Sequence, residues 1–206
     1  SIVTKAITGK TTMPVLEGIY IEANKEGLTL IGSDMDVSIE TKVEANVIKE
    51  GSIVIDSKIF SEIIRKLPNS DVKIEISENE LIQITCEKSV FNLVFMNPSD
   101  YPALPSINED LSVEVPQNLL KNMIKGTSFA IAQDEARPIL QGILFEVKNK
   151  ELNLVALDGY RLAVRTELLD VDDNIEVVIP GKTLNEVSKI LEDNTETVKI
   201  TFTNNH

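Results

Sequence analysis

The feature that most constrains this chain is an internal repeat. Displacing the 206-residue sequence by 124 positions lays its second half over its first without a gap across more than fifty positions. MPVLEGIYIE at 13–22 falls on RPILQGILFE at 137–146, so Pro14, Leu16, Gly18, Ile19 and Glu22 recur as Pro138, Leu140, Gly142, Ile143 and Glu146. GLTLIGSD at 27–34 falls on ELNLVALD at 151–158, repeating Leu28, Leu30 and Asp34. VIDSKIFSEIIRKL at 54–67 falls on VIPGKTLNEVSKIL at 178–191, repeating Val54, Ile55, Lys58, Glu62 and Leu67. One constant offset through three separate blocks marks a duplicated domain. Residue 1 corresponds to residue 125, and His206 to Ile82. The chain is therefore expected to start inside one unit and end inside another, as a fragment of a longer protein, with domains at 1–108 and 109–206.

Within each copy the pattern is that of an α+β unit. IYIEA, LTLIG and VSIETKV alternate or run apolar with β-branched residues, as half-buried strands do. NKEG at 24–27 reads as a turn between two of them. VKIEIS, LIQITC and VFNLVF form a three-strand meander broken at SENE and EKS. SKIFSEIIRKL at 57–67 carries Ile59, Phe60, Ile63, Ile64 and Leu67 as the stripe of an amphipathic helix. NLLKNMIKG at 118–126 and KTLNEVSKIL at 182–191 read the same way, with Gly126 as a stop. About two helices per unit with many antiparallel strands imply a sheet with helices on one face. YPALPSINEDLSVEVPQ at 101–117, with three prolines, reads as the linker.

Charge follows the elements. The chain carries a net charge of −13, which by itself argues against a polyanionic partner. Yet the windows 57–67, 116–126 and 181–191 hold Lys58, Arg65, Lys66, Lys121, Lys125, Lys182 and Lys189 against only Glu62 and Glu186. The helices carry +5 and the remainder −18. Taken one helix at a time, these lysines read as ordinary solvated faces; the same bias in all three is what a protein that turns its helices toward a phosphate backbone and its strands away would show. Its contacts would be to phosphates, without base reading.

Reactive chemistry is missing from the sequence. There is no internal His, no G-x-S-x-G, no phosphate-binding glycine loop and no metal-ligand spacing. One Cys (Cys86) and one His (His206) cannot assemble a Cys/His zinc site. The lone Cys86, at a strand end in ITCEKS, has a structural reading and fits a reducing cytoplasm. No run approaches the roughly 18 apolar residues of a membrane span. Asp34/Asp36 and Asp172/Asp173 read as turn and strand-end residues, and the recurrence of Asp34 as Asp158 gives that aspartate a role in the fold. The copies diverge where SDMDVSIET becomes LDGYRLAVRT: Gly159-Tyr160-Arg161-Leu162 replace Met35-Asp36-Val37-Ser38. That change reads either as drift in a strand or as a shallow apolar pocket with a polar rim for a partner's peptide.

The segments KTTMPVLEGI, LTLIGSDMDVSIE, the D-Y-P-x-L-P stretch at 100–105, RPILQGILFE and LVALDGYRLAV cover nearly the whole chain. On them the sequence resembles the β subunit family of bacterial DNA polymerase III, the DNA sliding clamps. The resemblance implies tandem clamp domains, with antiparallel sheets outside and two helices per domain on the inner face. It implies most of a first domain and two-thirds of a second, with a third domain absent from this chain. It further implies a non-catalytic, cofactor-free processivity factor, cytoplasmic and without membrane contact. It implies that the full-length protein forms a head-to-tail homodimeric ring around duplex DNA, without regard to sequence. Its partners would be the DNA polymerase III alpha subunit, the clamp loader, and other polymerases and repair proteins with clamp-binding peptides.

The family's peptide pocket matches Leu140, Leu157, Gly159, Tyr160, Arg161 and Leu162 here. Leu157 stands where many members have Thr, and Tyr160 where some have His. For DNA, Lys10 matches a basic residue in a loop facing the duplex and Arg137 lies in a second such loop, where Pro138 and Ile139 replace tyrosines of some members. With the helix cations, the expected DNA-facing set is Lys10, Lys58, Arg65, Lys66, Lys121, Lys125, Arg137, Lys182 and Lys189. Two other readings compete. An enzyme with a site between the repeats would need a convergent polar cluster and a strongly perturbed titrating group. A pure protein adaptor would show no lysine clustering on its helices.

Overall fold

The structure, a computed structural model, describes residues 2–7, 9, 11–77, 81–105, 111–134, 136–203 and 206. The chain divides into two compact units, Ser1–Pro105 and Ser106–His206.

In the first unit, strands β1 (Gly18–Asn24), β2 (Gly27–Ser33), β3 (Ser38–Val43) and β4 (Gly51–Asp56) form an antiparallel sheet in the order β3-β2-β1-β4. The β1–β2 turn depends on Gly27, whose φ is 125° and where a Cβ would lie 2.6 Å from the Val43 carbonyl oxygen. Asp56 then caps helix α1 (Ser57–Lys66), its carboxylate accepting the Ile59 amide at 2.8 Å. Strands β5 (Lys73–Ile76), β6 (Ile82–Cys86) and β7 (Ser89–Leu93) follow as a meander. Phe60 packs with Ile19, Ile21, Ile53, Ile55, Ile82 and Ile84 in one core. Ile63 and Leu67 join it at the i+3 and i+7 positions from Phe60. Ile59 and Ile64 of the expected stripe flank that row on either side and are exposed, so the buried face is narrower than the sequence suggests. Cys86 ends β6 as a buried free thiol.

The opposite face of the first sheet has its own cover. Met96 donates its amide to the Val54 carbonyl at 2.8 Å, and Tyr101 stacks 5.5 Å from Tyr20 while its hydroxyl donates to the Ile31 carbonyl at 3.4 Å. Burial pushes the Tyr101 hydroxyl up to about 12. Val15, Leu16 and Val54 are buried beneath this strap.

The second unit opens with strand β8 (Leu111–Pro116) and helix α2 (Gln117–Thr127). Strands β9 (Gly142–Lys148), β10 (Glu151–Leu157), β11 (Leu162–Leu168) and β12 (Ile175–Pro180), helix α3 (Gly181–Ile190) and strand β13 (Thr197–Phe202) complete it. The bounds of β9, β10, β12 and α3 are those of β1, β2, β4 and α1 moved by 124 residues. The sheet order β11-β10-β9-β12 repeats that of the first unit, and β13 pairs with β8. α2 and α3 lie on one face, where Leu120, Met123, Ile124 and Leu184 pack on Ile143, Phe145, Val147, Leu152 and Leu154. Each such side chain contributes about 1.5–3 kcal/mol when fully buried. In the first unit α1 is the one α-helix among the described residues.

The segment read as a linker is structured in its second half. Leu111–Pro116 is β8, with Val113 and Val115 buried against the core, and Gln117 opens α2. Pro116 is accommodated because it closes the strand and precedes the helix, where its missing amide is least needed. Residues 106–110 of that segment lie outside the described residues. Among the described residues, no helix is long and apolar enough to cross a membrane.

Candidate partner site and basic helix faces

The turn joining β10 to β11 is closed by one carboxylate. Asp158 accepts the Tyr160 amide at 2.9 Å and the Arg161 amide at 3.1 Å through Oδ1, and its own amide donates to the Arg161 carbonyl at 3.3 Å. Gly159 sits at φ 96°, a region that favours glycine. Arg161 Nε donates to Asp158 Oδ2 at 2.9 Å, and the guanidinium carbon lies 5.9 Å from the centre of the Phe129 ring. The Tyr160 amide first, then the Arg161 amide and side chain, hold the Asp158 carboxyl below its ordinary value.

Arg137, expected in a DNA-facing loop, is brought to this turn. Its Nη2 donates to the Asp158 carbonyl at 3.3 Å, its Nε lies 3.8 Å from Asp134, and a Cβ on Gly159 would come within 3.1 Å of its guanidinium. The Arg137 carbonyl in turn accepts the amide of half-buried Leu140 at 3.0 Å. Leu157 and Leu162 are directly opposed across the β10–β11 ladder. They lie on the sheet face away from the helices, since Ala156 and Ala163 take the buried side. Tyr160 is 98% exposed and Leu162 63%. The structure thus gathers Leu157, Gly159, Tyr160, Arg161 and Leu162 on one turn, with Leu140 tied to it through Arg137. Sequence reasoning missed Phe129 and Asp134. Phe129 had a signal, as one of few aromatics and as the counterpart of Lys5 in the first copy.

The helix cations are not equivalent. Lys58, Arg65 and Lys66 are exposed on α1, the last two in its final turn, where a helix C-terminus favours positive charge. Lys125 is exposed in the last turn of α2. Lys182 and Lys189 are exposed on α3, with Lys189 bonded to Glu186 at 2.6 Å. Lys121 differs: it is half-buried and donates to the Leu191 carbonyl at 2.9 Å, tying α2 to the end of α3. An open cleft of 280 Å³ beside α1 holds Lys58 and Arg65 but also Glu17, Asp56 and Glu62, so its lining is of mixed sign. Lys10 lies outside the described residues. The Asp34 carboxylate accepts the Asp36 and Val37 amides and closes a turn, whereas Asp172 and Asp173 lie between β11 and β12, with Asp172 3.7 Å from Lys150. Among the described residues no group of three or more His, Cys, Asp or Glu could hold a metal ion.

The family described as DNA polymerase III beta subunit, N-terminal domain, matches residues 1–105, and that of the same subunit's central domain matches residues 114–206. The chain belongs to the DNA polymerase III beta subunit family. A relative in Halalkalibacterium halodurans named Beta sliding clamp is 42% identical over 215 residues, covering 98% of this chain and 57% of that protein. The beta sliding clamp of Bacillus subtilis is 43% identical, with 98% of this chain and 56% of that one covered. The crystal structure of a DNA polymerase sliding clamp from Bacillus subtilis superposes with a TM-score of 0.92 at 42% identity, over 98% of this chain and 56% of its own. A sliding clamp from Pseudomonas aeruginosa, solved bound to griselimycin, gives a TM-score of 0.89 at 28% identity, again over 98% and 56%. The chain thus spans somewhat more than half the length of these beta subunits. Its α+β units and their repetition are those of the beta subunit fold.

Proposed function

We propose that this chain is most of the first domain and about two-thirds of the second domain of a DNA sliding clamp, a non-catalytic processivity factor. Its full-length form encircles duplex DNA as a head-to-tail ring dimer completed by a third domain. The observation that carries this reading is that both units match, in order, the two domain families of a subunit whose curated relatives are named beta sliding clamp. The exposed cations on α1, α2 and α3, on a chain of net charge −13, support it. Turned toward the duplex, these side chains would meet phosphates through water and counterions without reading bases. Retention would then be topological, and weak, salt-sensitive contacts would leave the ring free to slide. A clamp loader would open the ring, and all of this would take place in the cytoplasm with no cofactor in the clamp itself.

The turn at 157–162, with Leu140, is the proposed docking point for peptides of the DNA polymerase III alpha subunit and of other polymerases and repair proteins. Leu157 and Leu162 would take apolar side chains, and Arg161 and the exposed Tyr160 would form the polar rim. The test loads the full-length protein onto nicked circular DNA with its clamp loader and ATP, then linearises the circle. Loss of bound protein on linearisation is expected. Equal retention on circle and linear DNA would replace encirclement with ordinary contact binding.

A further inference from the structure

Arg161 and Phe129 occur together in the second unit and are absent together from the first, where their counterparts are Val37 and Lys5. Neither is needed to form the turn. In the first unit Asp34 accepts the Asp36 and Val37 amides at 3.1 and 2.8 Å and donates its own amide to the Val37 carbonyl at 3.1 Å, giving the same closure. The pair therefore does something other than shape the backbone. Arg161 is gripped on one edge by Asp158, which takes Nε at 2.9 Å, and is faced by the Phe129 ring at 5.9 Å. A guanidinium has five donor hydrogens in a planar fork. With Nε engaged and one face toward a ring, the two terminal nitrogens have fewer directions open to them than those of a free arginine side chain. The Phe129 ring itself is 60% exposed, so burial in a core does not explain its presence.

We infer that Phe129 is a positioning residue for the partner site, acting through Arg161. It presets the guanidinium so that its terminal nitrogens meet a carboxylate or backbone carbonyl of the docked peptide without first losing rotamer freedom. This rests on the docking reading of the 157–162 turn. The test uses the full natural chain and, as probe, the DNA polymerase III alpha subunit of the same organism, with affinity measured by surface plasmon resonance. Phe129→Leu keeps an apolar side chain and removes the ring. It should weaken binding about two- to fivefold, the range of an exposed cation–ring contact, with thermal midpoint unchanged. Phe129→Trp should restore the affinity. In an Arg161→Met background, Phe129→Leu should have no further effect, because nothing is left to position. An equal loss in both backgrounds, or no loss in either, overturns the inference, as does a change in DNA retention with alpha-subunit affinity unaltered. If the alpha subunit fails to bind even the wild-type protein, the docking reading itself falls, and this inference with it.

Discussion

In the first unit the β2–β3 turn is flanked by Ser33 and Ser38, whose hydroxyls meet at 2.8 Å. In the second the same two positions are Leu157 and Leu162, opposed across the ladder and pointing away from the helices. A second divergence lies on the same outer face. Val54 of the first sheet is fully buried under Met96 and Tyr101, whereas its counterpart Val178 is 42% exposed. The helix-bearing side shows no such contrast: Ile19, Ile21 and Ile55 reappear as Ile143, Phe145 and Ile179, all packed into cores. Duplication kept the side where helix meets sheet and let the other side take separate tasks, a strap in one unit and an exposed apolar turn in the next.

The largest expected test of that contrast is a matched truncation. Val54→Ala leaves a cavity under a closed strap and should destabilise the first unit by about 2 kcal/mol. Val178→Ala, at a half-open site, should change stability by less than about 0.5 kcal/mol. Hydrogen exchange read separately at β1 and β9 resolves the two, and equal effects would remove the distinction between covered and open faces.

A reciprocal swap at the turn sharpens the comparison further. Met35 and Gly159 occupy equivalent positions, at φ 78° and 96°. Gly159→Met should cost about 1–2 kcal/mol, because a side chain is forced into the left-handed region and toward Arg137. Met35→Gly should stabilise by less than about 1 kcal/mol, as relief of that strain is offset by the freedom glycine gains in the unfolded chain. Denaturant midpoints of the two variants should move in opposite directions.

The smallest effect is on acid stability. Asp158 is held below its ordinary value of 3.8 first by the Tyr160 amide. A carboxyl lowered by folding adds stability that is complete above the unfolded value and lost as pH falls through the lowered one. Protection of the Tyr160 and Arg161 amides should therefore decline below pH 3.8 in the wild type. In Asp158→Asn it should be weaker throughout and flat across the same range.

Much of the fold was legible because the offset of 124 residues survives without insertion from the strap-side turn at Pro14 to α3. Any strand recognised in one copy located its twin. What escaped had competing local signals. The prolines of 101–117 concealed β8, although the alternation of Val113 and Val115 is that of a half-buried strand. Ile59 and Ile64 looked like core by spacing alone, but the sheet covers only the row through Phe60, Ile63 and Leu67. At the site, the LDGYRL segment announced itself by differing from its twin. The convergence of Arg137 and Phe129 on it depends on three-dimensional contacts that no spacing encodes. Lys121 read as one more solvated cation because its bond to a carbonyl 70 positions away has no local signature.

One carboxylate, present as Asp34 and as Asp158, draws the same loop in both units while the four residues after it change entirely. Shape and vocabulary are thereby uncoupled. The backbone trace of this loop is written by a single conserved-in-duplicate letter, and the letters that follow are free to be respelled. Selection can thus reword the surface without redrafting the scaffold that displays it.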